Sequence, residues 1–283
     1  MHRCLFCITL LMVVLCSSCE RERTTGPRPE FDTSLQNESL PDIKPKVAAI
    51  VLSEGEIELE VGQKRRITAE ALDAEGQVID GVEFEWASIG ERFVHVSGDG
   101  MVTAKEVGRA RVFCKCDDMV SAFVAVETYR IRYANSFERD FDTVLWSPNS
   151  ILSFADEAAP GGGERSLKVD FEFPWPWTPT SECELPGPAR PCYIELRAWS
   201  KVKGCGPGLI YLENVPRETR IYTRLWRNSG WISYRSSECL FLGAQEDFAV
   251  GVGNEGCCFH CWDGITVWID RLEVREVPGP QAI

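Results

Sequence analysis

The sequence predicts an all-β protein built as two β-sandwiches in series. Three observations carry this. Apolar and polar residues alternate with period two in short runs along most of the chain, as half-buried strands require. Turn-forming clusters separate the runs at regular intervals: Asp73-Ala74-Glu75-Gly76, Gly98-Asp99-Gly100 and Asp117-Asp118. No segment combines a 3.6-residue apolar period with helix caps.

Residues 1–18 read as a leader that is removed. One positive charge precedes an apolar run from Leu5 to Cys16, broken only by Thr9 and too short to span a bilayer stably. Cys16-Ser17-Ser18-Cys19 resembles the bacterial lipobox, departing from it at Cys16, where that family prefers Leu. The resemblance implies lipidation of Cys19 and a lipoprotein at the bacterial cell envelope; a plain secretory signal cut near Ser18 is the alternative. Residues 19–46 are rich in charge, Pro, Ser and Thr and bury no core. They read as a disordered tether, with a random-coil reach on the order of 30 Å.

The formal charge is −13, and Arg3 is the one charged residue of the leader, so the mature chain is more acidic still. Such a surface repels nucleic-acid phosphates and anionic bilayers, which leaves the lipid anchor as the membrane attachment. Of 13 cysteines, nine lie beyond Cys19. In an exported protein disulfides are the default, and an odd number leaves at least one thiol over.

Residues 47–127 form the first domain. Ile67, Ala69 and Ala71 share a face, as do Val82, Phe84 and Trp86, then Ala110, Val112 and Cys114, then Ala122, Val124 and Val126. Leu59-Glu60-Val61-Gly62-Gln63, Ile67-Thr68-Ala69, Asp73 with Gly76, Val82 to Trp86, Val96-Ser97, Gly100-Met101-Val102-Thr103-Ala104 and Gly108 follow in order. Together they resemble the group 2 bacterial immunoglobulin-like domain. That family's domain is a spacer or an adhesion repeat on surface proteins, and a single copy favours the spacer. Trp86 fills the sandwich centre in this reading.

Residues 128–277 form the second domain, of jelly-roll size, and 278–283 a tail. Leu167, Val169, Phe171 and Phe173 alternate; Ile194, Leu196 and Ala198 oppose Tyr193, Glu195, Arg197 and Trp199; Ile265, Val267 and Ile269 lead the last strand. Asn135-Ser136-Phe137-Glu138, Gly163 to Val169, Glu195 to Lys201 and Trp268 to Val274 resemble, in order, the strand motifs of jelly-roll carbohydrate-binding modules with a galactose-binding-like fold. The resemblance implies a structural calcium held by Glu138 and Asp270 with backbone carbonyls. The family ends on paired aspartates, whereas Arg271 stands second here and could pair with one of the acids instead.

Eight of the nine tryptophans lie after residue 128, and Trp146 and Trp199 are assigned to the core from their strand positions. Trp175 and Trp177 differ, because proline brackets both and excludes a central strand. Rigid indoles there suit the apolar faces of sugar rings; packing down as a lid on the sandwich is the alternative. Cys257-Cys258-Phe259-His260-Cys261 reads as disulfide staples in a loop rather than a zinc site. Cys183 and Cys192 flank a Pro-rich segment and are expected to pair. Cys114 is expected to be a buried free thiol. The mature chain keeps two histidines, His95 and His260, and neither lies in a nucleophile motif. The expected function is therefore non-catalytic: a spacer presenting a module that binds neutral glycan through Trp175 and Trp177. A structural or adhesive protein with a protein partner is the alternative, and a small hydrolase the third reading.

Overall fold

The computed structural model describes residues 46–138, 152–171, 181–204, 206–226, 229–254 and 264–280. The leader, Cys19, most of the tether, Trp146, Trp175, Trp177, Cys205, Cys257, Cys258, His260 and Cys261 lie outside the described residues. No helix among the described residues is long and apolar enough to cross a membrane.

The first sandwich uses β1 (Ala49–Leu52), β2 (Glu56–Glu60), β3 (Lys64–Arg66), β4 (Ala69–Leu72), β5 (Glu85–Ile89), β6 (Val94–Val96), β7 (Met101–Ala104), β8 (Gly108–Cys116), β9 (Met119–Val120) and β10 (Val124–Asn135). One layer runs β5-β8-β10, with β2 parallel to β10 and β9 on β8. The other consists of the sheet β3-β7-β6 and the pair β1-β4. Ile57, Ile67, Val94, Val102, Val112 and Val124 fill the space between. Trp86 packs against this cluster and against a second one around Val47, Ile50 and Cys114, so the indole joins the two halves of the core.

The second sandwich uses β11 (Leu152–Ala155), β12 (Ser166–Phe171), β13 (Ser181–Leu185), β14 (Cys192–Gly204), β15 (Gly208–Asn214), β16 (Thr219–Leu225), β17 (Ile232–Arg235), β18 (Leu240–Leu242), β19 (Phe248–Asn254) and β20 (Ile265–Val277). One sheet runs β11-β12-β20-β14, with β17 and β18 on the far edge of β14. The other is β13-β19-β15-β16. Phe137, Leu167, Leu196, Leu212, Val250 and Ile269 meet between them.

Strand β10 belongs to both sandwiches. Its first half pairs with β8 and β2, and Arg130 to Asn135 pair with β20. The boundary expected between residues 127 and 128 falls inside this strand, where a continuous hydrogen-bond ladder leaves no free linker. Side chains reinforce the junction. Glu58 of the first sandwich accepts from Arg197 at 2.7 Å and Arg235 at 3.2 Å and pairs with Arg275 at 3.4 Å. Arg197 and Arg235 each also reach the buried Glu195 at 2.8 Å. The guanidinium of Arg275 lies 4.0 Å over the ring of Tyr129. Both sandwiches belong to one compact unit.

Two expectations are corrected here. Trp199 is not core. Alternation along β14 turns Ile194, Leu196, Ala198 and Ser200 inward, so Trp199 faces outward, half-buried under the Arg271 guanidinium at 4.8 Å. Cys183 and Cys192 do not bond: both are free, buried thiols. They sit on opposite sheets, Cys183 paired to Val250 and Cys192 to Leu242. The short Pro-rich connection therefore crosses from one sheet to the other, and the two sulfurs it separates along the chain are engaged elsewhere. Cys183 engages Tyr133, whereas Cys192 lies beside Glu276 and Arg132. Cys239 is also free, and Cys114 is the buried free thiol expected of it.

Burial pushes the Cys183 and Cys192 thiols up to about 11. Both are therefore expected to resist alkylation in the native protein at pH 8 and to take label once unfolded without reductant. A Cys183–Cys192 cross-linked peptide in the non-reducing map would contradict the structure.

Candidate functional site

The resemblance to calcium-binding modules pointed to Glu138 and Asp270, and the structure brings both to one turn, residues 159–163. Gly162 and Gly163 pass so close that a Cβ at either would overlap the Asp270 or Glu138 carboxylate. Glu138 lies just past the end of β10 and follows Phe137, whose φ is +57°. Its carboxylate accepts from the amides of Glu164 at 3.2 Å and Arg165 at 3.4 Å. Asp270 sits beside a bulge in β20, where Arg271 adopts φ +47° and the register to β14 shifts. That extra residue lets Ile269 and Leu272 both reach the core and re-aims the side chains between them.

Asp270 is 0% exposed. Its Oδ2 accepts from the Ala159 amide at 3.0 Å, while its buried Oδ1 has no partner. Desolvation first, and the Glu138 charge in addition, raise its carboxyl above the usual range. Arg271 forms only a long ion pair with it, Nε standing 3.9 Å from Oδ2, while the guanidinium donates its hydrogen bonds to Pro160 O at 2.9 Å and Gly161 O at 3.4 Å. An orphaned carboxylate oxygen with a second carboxylate on the same turn offers hard-oxygen donors of the kind calcium takes. No third His, Cys, Asp or Glu joins any such group among the described residues, so remaining ligands would be carbonyls or water.

The second feature escaped the sequence reading. Along β16, Ile221 and Leu225 point into the core, so Arg220, Tyr222, Arg224 and the following Trp226 turn outward. Tyr222 is 49% exposed and Trp226 66% exposed. Among the described residues β16 pairs with β15 alone, at the edge of its sheet. Two rings four residues apart on one strand face stand about 13 Å apart. Behind them Tyr211 of β15 lies flat over Gly251, where a side chain would collide with its ring. Arg220 covers Tyr211 at 4.2 Å and pairs with Glu213. The signal was present as strict alternation in Arg220-Ile221-Tyr222-Thr223-Arg224-Leu225-Trp226.

No protein-family model matches the chain, and no curated protein matches it. Among solved structures it is similar to a xylan-binding domain from CBM 22, at 17% identity and TM-score 0.33, covering 53% of this chain and 97% of that one. It is also similar to carbohydrate-binding module CBM6cm-2 of Cellvibrio mixtus lichenase 5A in complex with cellotriose, at 10% identity and TM-score 0.33, covering 52% and 98%. The N-terminal xylanase 10B modules of Clostridium thermocellum, complexed with xylohexaose, match at 12% identity and TM-score 0.34, and this chain spans 28% of that protein. The β-sandwich architecture itself rests on the strand pairing described above.

Proposed function

We propose that this chain is a non-catalytic, glycan-binding lipoprotein of the bacterial envelope, with the second sandwich as its binding module. The observation that carries the reading is the exposed pair Tyr222, on β16, and Trp226, the residue that follows it, with Arg224 between them. Aromatic rings held on a strand keep little conformational freedom to lose, and stack against the C–H faces of a sugar. Arg220, Arg224 and Glu213 stand beside them as hydrogen-bonding groups for hydroxyls. Net acidity favours neutral sugars over sulfated or uronic ones. Trp175 and Trp177 belong to the same proposal: in sequence their segment leads into β13, the opposite edge of that sheet. Calcium at Glu138 and Asp270 would lock the end of β10 to the bulge of β20 and so brace the sandwich; it carries no chemistry in this reading. Lipidation of Cys19 with residues 20–46 as leash would place the module off the membrane, and Cys19→Ala should release it into the soluble fraction. His95 lies exposed on β6 of the first sandwich, away from the platform.

The test is a glycan array followed by titration with neutral β-linked oligosaccharides such as xylohexaose and cellotriose. Tyr222→Ala with Trp226→Ala is expected to weaken binding by roughly 10- to 100-fold, the loss of about 1–3 kcal/mol from two stacked rings. Melting should move little, because both side chains are exposed. A wild type that retains no glycan on a broad array turns the reading to a structural or adhesive protein with a protein partner.

A further inference from the structure

The first sandwich holds a group of sulfur ligands that glycan binding does not use. Strand β8 alternates so that Cys114 and Cys116 both point to its buried side. Across the two-residue turn Asp117-Asp118, Met119 of β9 stands directly opposite Cys116 in the antiparallel register. Directly opposed residues share a face, with Cβ atoms about 4.5–5.5 Å apart. All three side chains pack into one apolar cluster with Val47, Ile50 and Ala71.

Spacing decides what two such thiols can do. Same-face neighbours on a strand have Cα atoms about 6.6 Å apart or slightly more, the upper end of the disulfide range. Both thiols are accordingly free. A metal ion needs less closure, because two bonds of about 2.3 Å bridge sulfurs roughly 4 Å apart. Around them stand apolar side chains and a single hydroxyl, that of Ser121, and no group of three His, Cys, Asp or Glu forms among the described residues. Hard cations therefore find no oxygen shell there, whereas thiolates and a thioether in a dry setting select soft ions.

We propose that Cys114, Cys116 and Met119 form a binding site for a soft monovalent metal ion, copper(I) or its redox-silent analogue silver(I). The ion displaces the thiol protons to solvent, two when both cysteines coordinate, and the Met119 thioether adds a neutral third donor with no change of oxidation state. Loading therefore strengthens as pH rises.

The experiment titrates silver(I) into the reduced, full-length chain, measuring metal per chain by mass spectrometry and backbone hydrogen exchange by peptide. The wild type should bind one ion more than Cys114→Val with Cys116→Val, and silver should slow exchange in the peptide spanning residues 114–121. Equal ion counts, or unmoved exchange in that hairpin, would overturn the site. Should the double variant fail to fold, Met119→Leu conserves volume and carries the test. It should bind the hairpin ion at least tenfold more weakly; wild-type affinity in that variant overturns the triad.

Discussion

Asp270→Asn is expected to melt above the wild type in chelator and below it in calcium. The carboxyl of Asp270 is wholly buried, and desolvation raises it above its unfolded value. For an acid shifted in that direction, stability is fully present below the unfolded pKa and is lost as pH rises through the folded one. The calcium-free wild type thus buries a carboxyl with one oxygen unpartnered, and ionising it costs stability. Asparagine removes the charge and keeps an acceptor for the Ala159 amide. Calcium reverses the order, because it supplies the missing partner to the aspartate alone. At a hundredfold excess over its Kd, calcium contributes about 2.7 kcal/mol. For a unit of this size that is roughly 5–10 °C in Tm. Differential scanning of both proteins with EDTA and with calcium checks the crossover. Equal calcium shifts in the two proteins, or none in either, would remove the metal from Glu138 and Asp270.

How much of this was legible beforehand depends on the length scale of the signal. Period-two alternation predicted the strands around Val112, Val169, Leu196 and Val267, and all four residues are core. The two acids were found because the motifs that carry them resemble the opening and closing strand motifs of jelly-roll carbohydrate-binding modules. Trp199 was misassigned from its strand position, although alternation with Leu196 and Ala198 in that strand placed it outward. The Cys183–Cys192 expectation measured distance along the chain; the sheet change between β13 and β14 is a tertiary fact that spacing does not carry. Tyr222 and Trp226 were passed over because proline made Trp175 and Trp177 conspicuous. The clasp at the junction was illegible, since Glu58 meets Arg197 and Arg275 across 139 and 217 residues of sequence. Strong alternation on both sides of residue 127 suggested two domains joined end to end, and only the pairing of β10 shows one strand serving both.

Arg197→Met should produce the largest loss of stability, about 3 kcal/mol, because it strands charge rather than merely removing a contact. Glu195 is 1% exposed and divides its carboxylate between Arg197 and Arg235. Without Arg197 it keeps a single half-exposed partner, and Glu58 loses the hydrogen bond that does most to hold its carboxyl below the usual range. The expected fall in Tm is roughly 6–12 °C. Adding Glu195→Gln should recover part of it, since the buried charge then disappears; that non-additivity separates a charge effect from lost packing. Acid should imitate the variant. A carboxylate whose folded pKa is lowered contributes stability above its unfolded value and loses it as pH falls through the folded one, so the clasp weakens below about pH 4. Calorimetry at pH 7 should show the wild-type sandwiches unfolding in one transition, and Arg197→Met should broaden it, as β10 and the weaker contacts of Arg235 and Arg275 with Glu58 are left to couple them. An unchanged single transition at the wild-type temperature would mean that Arg197 adds nothing to the coupling that β10 and the remaining arginines provide.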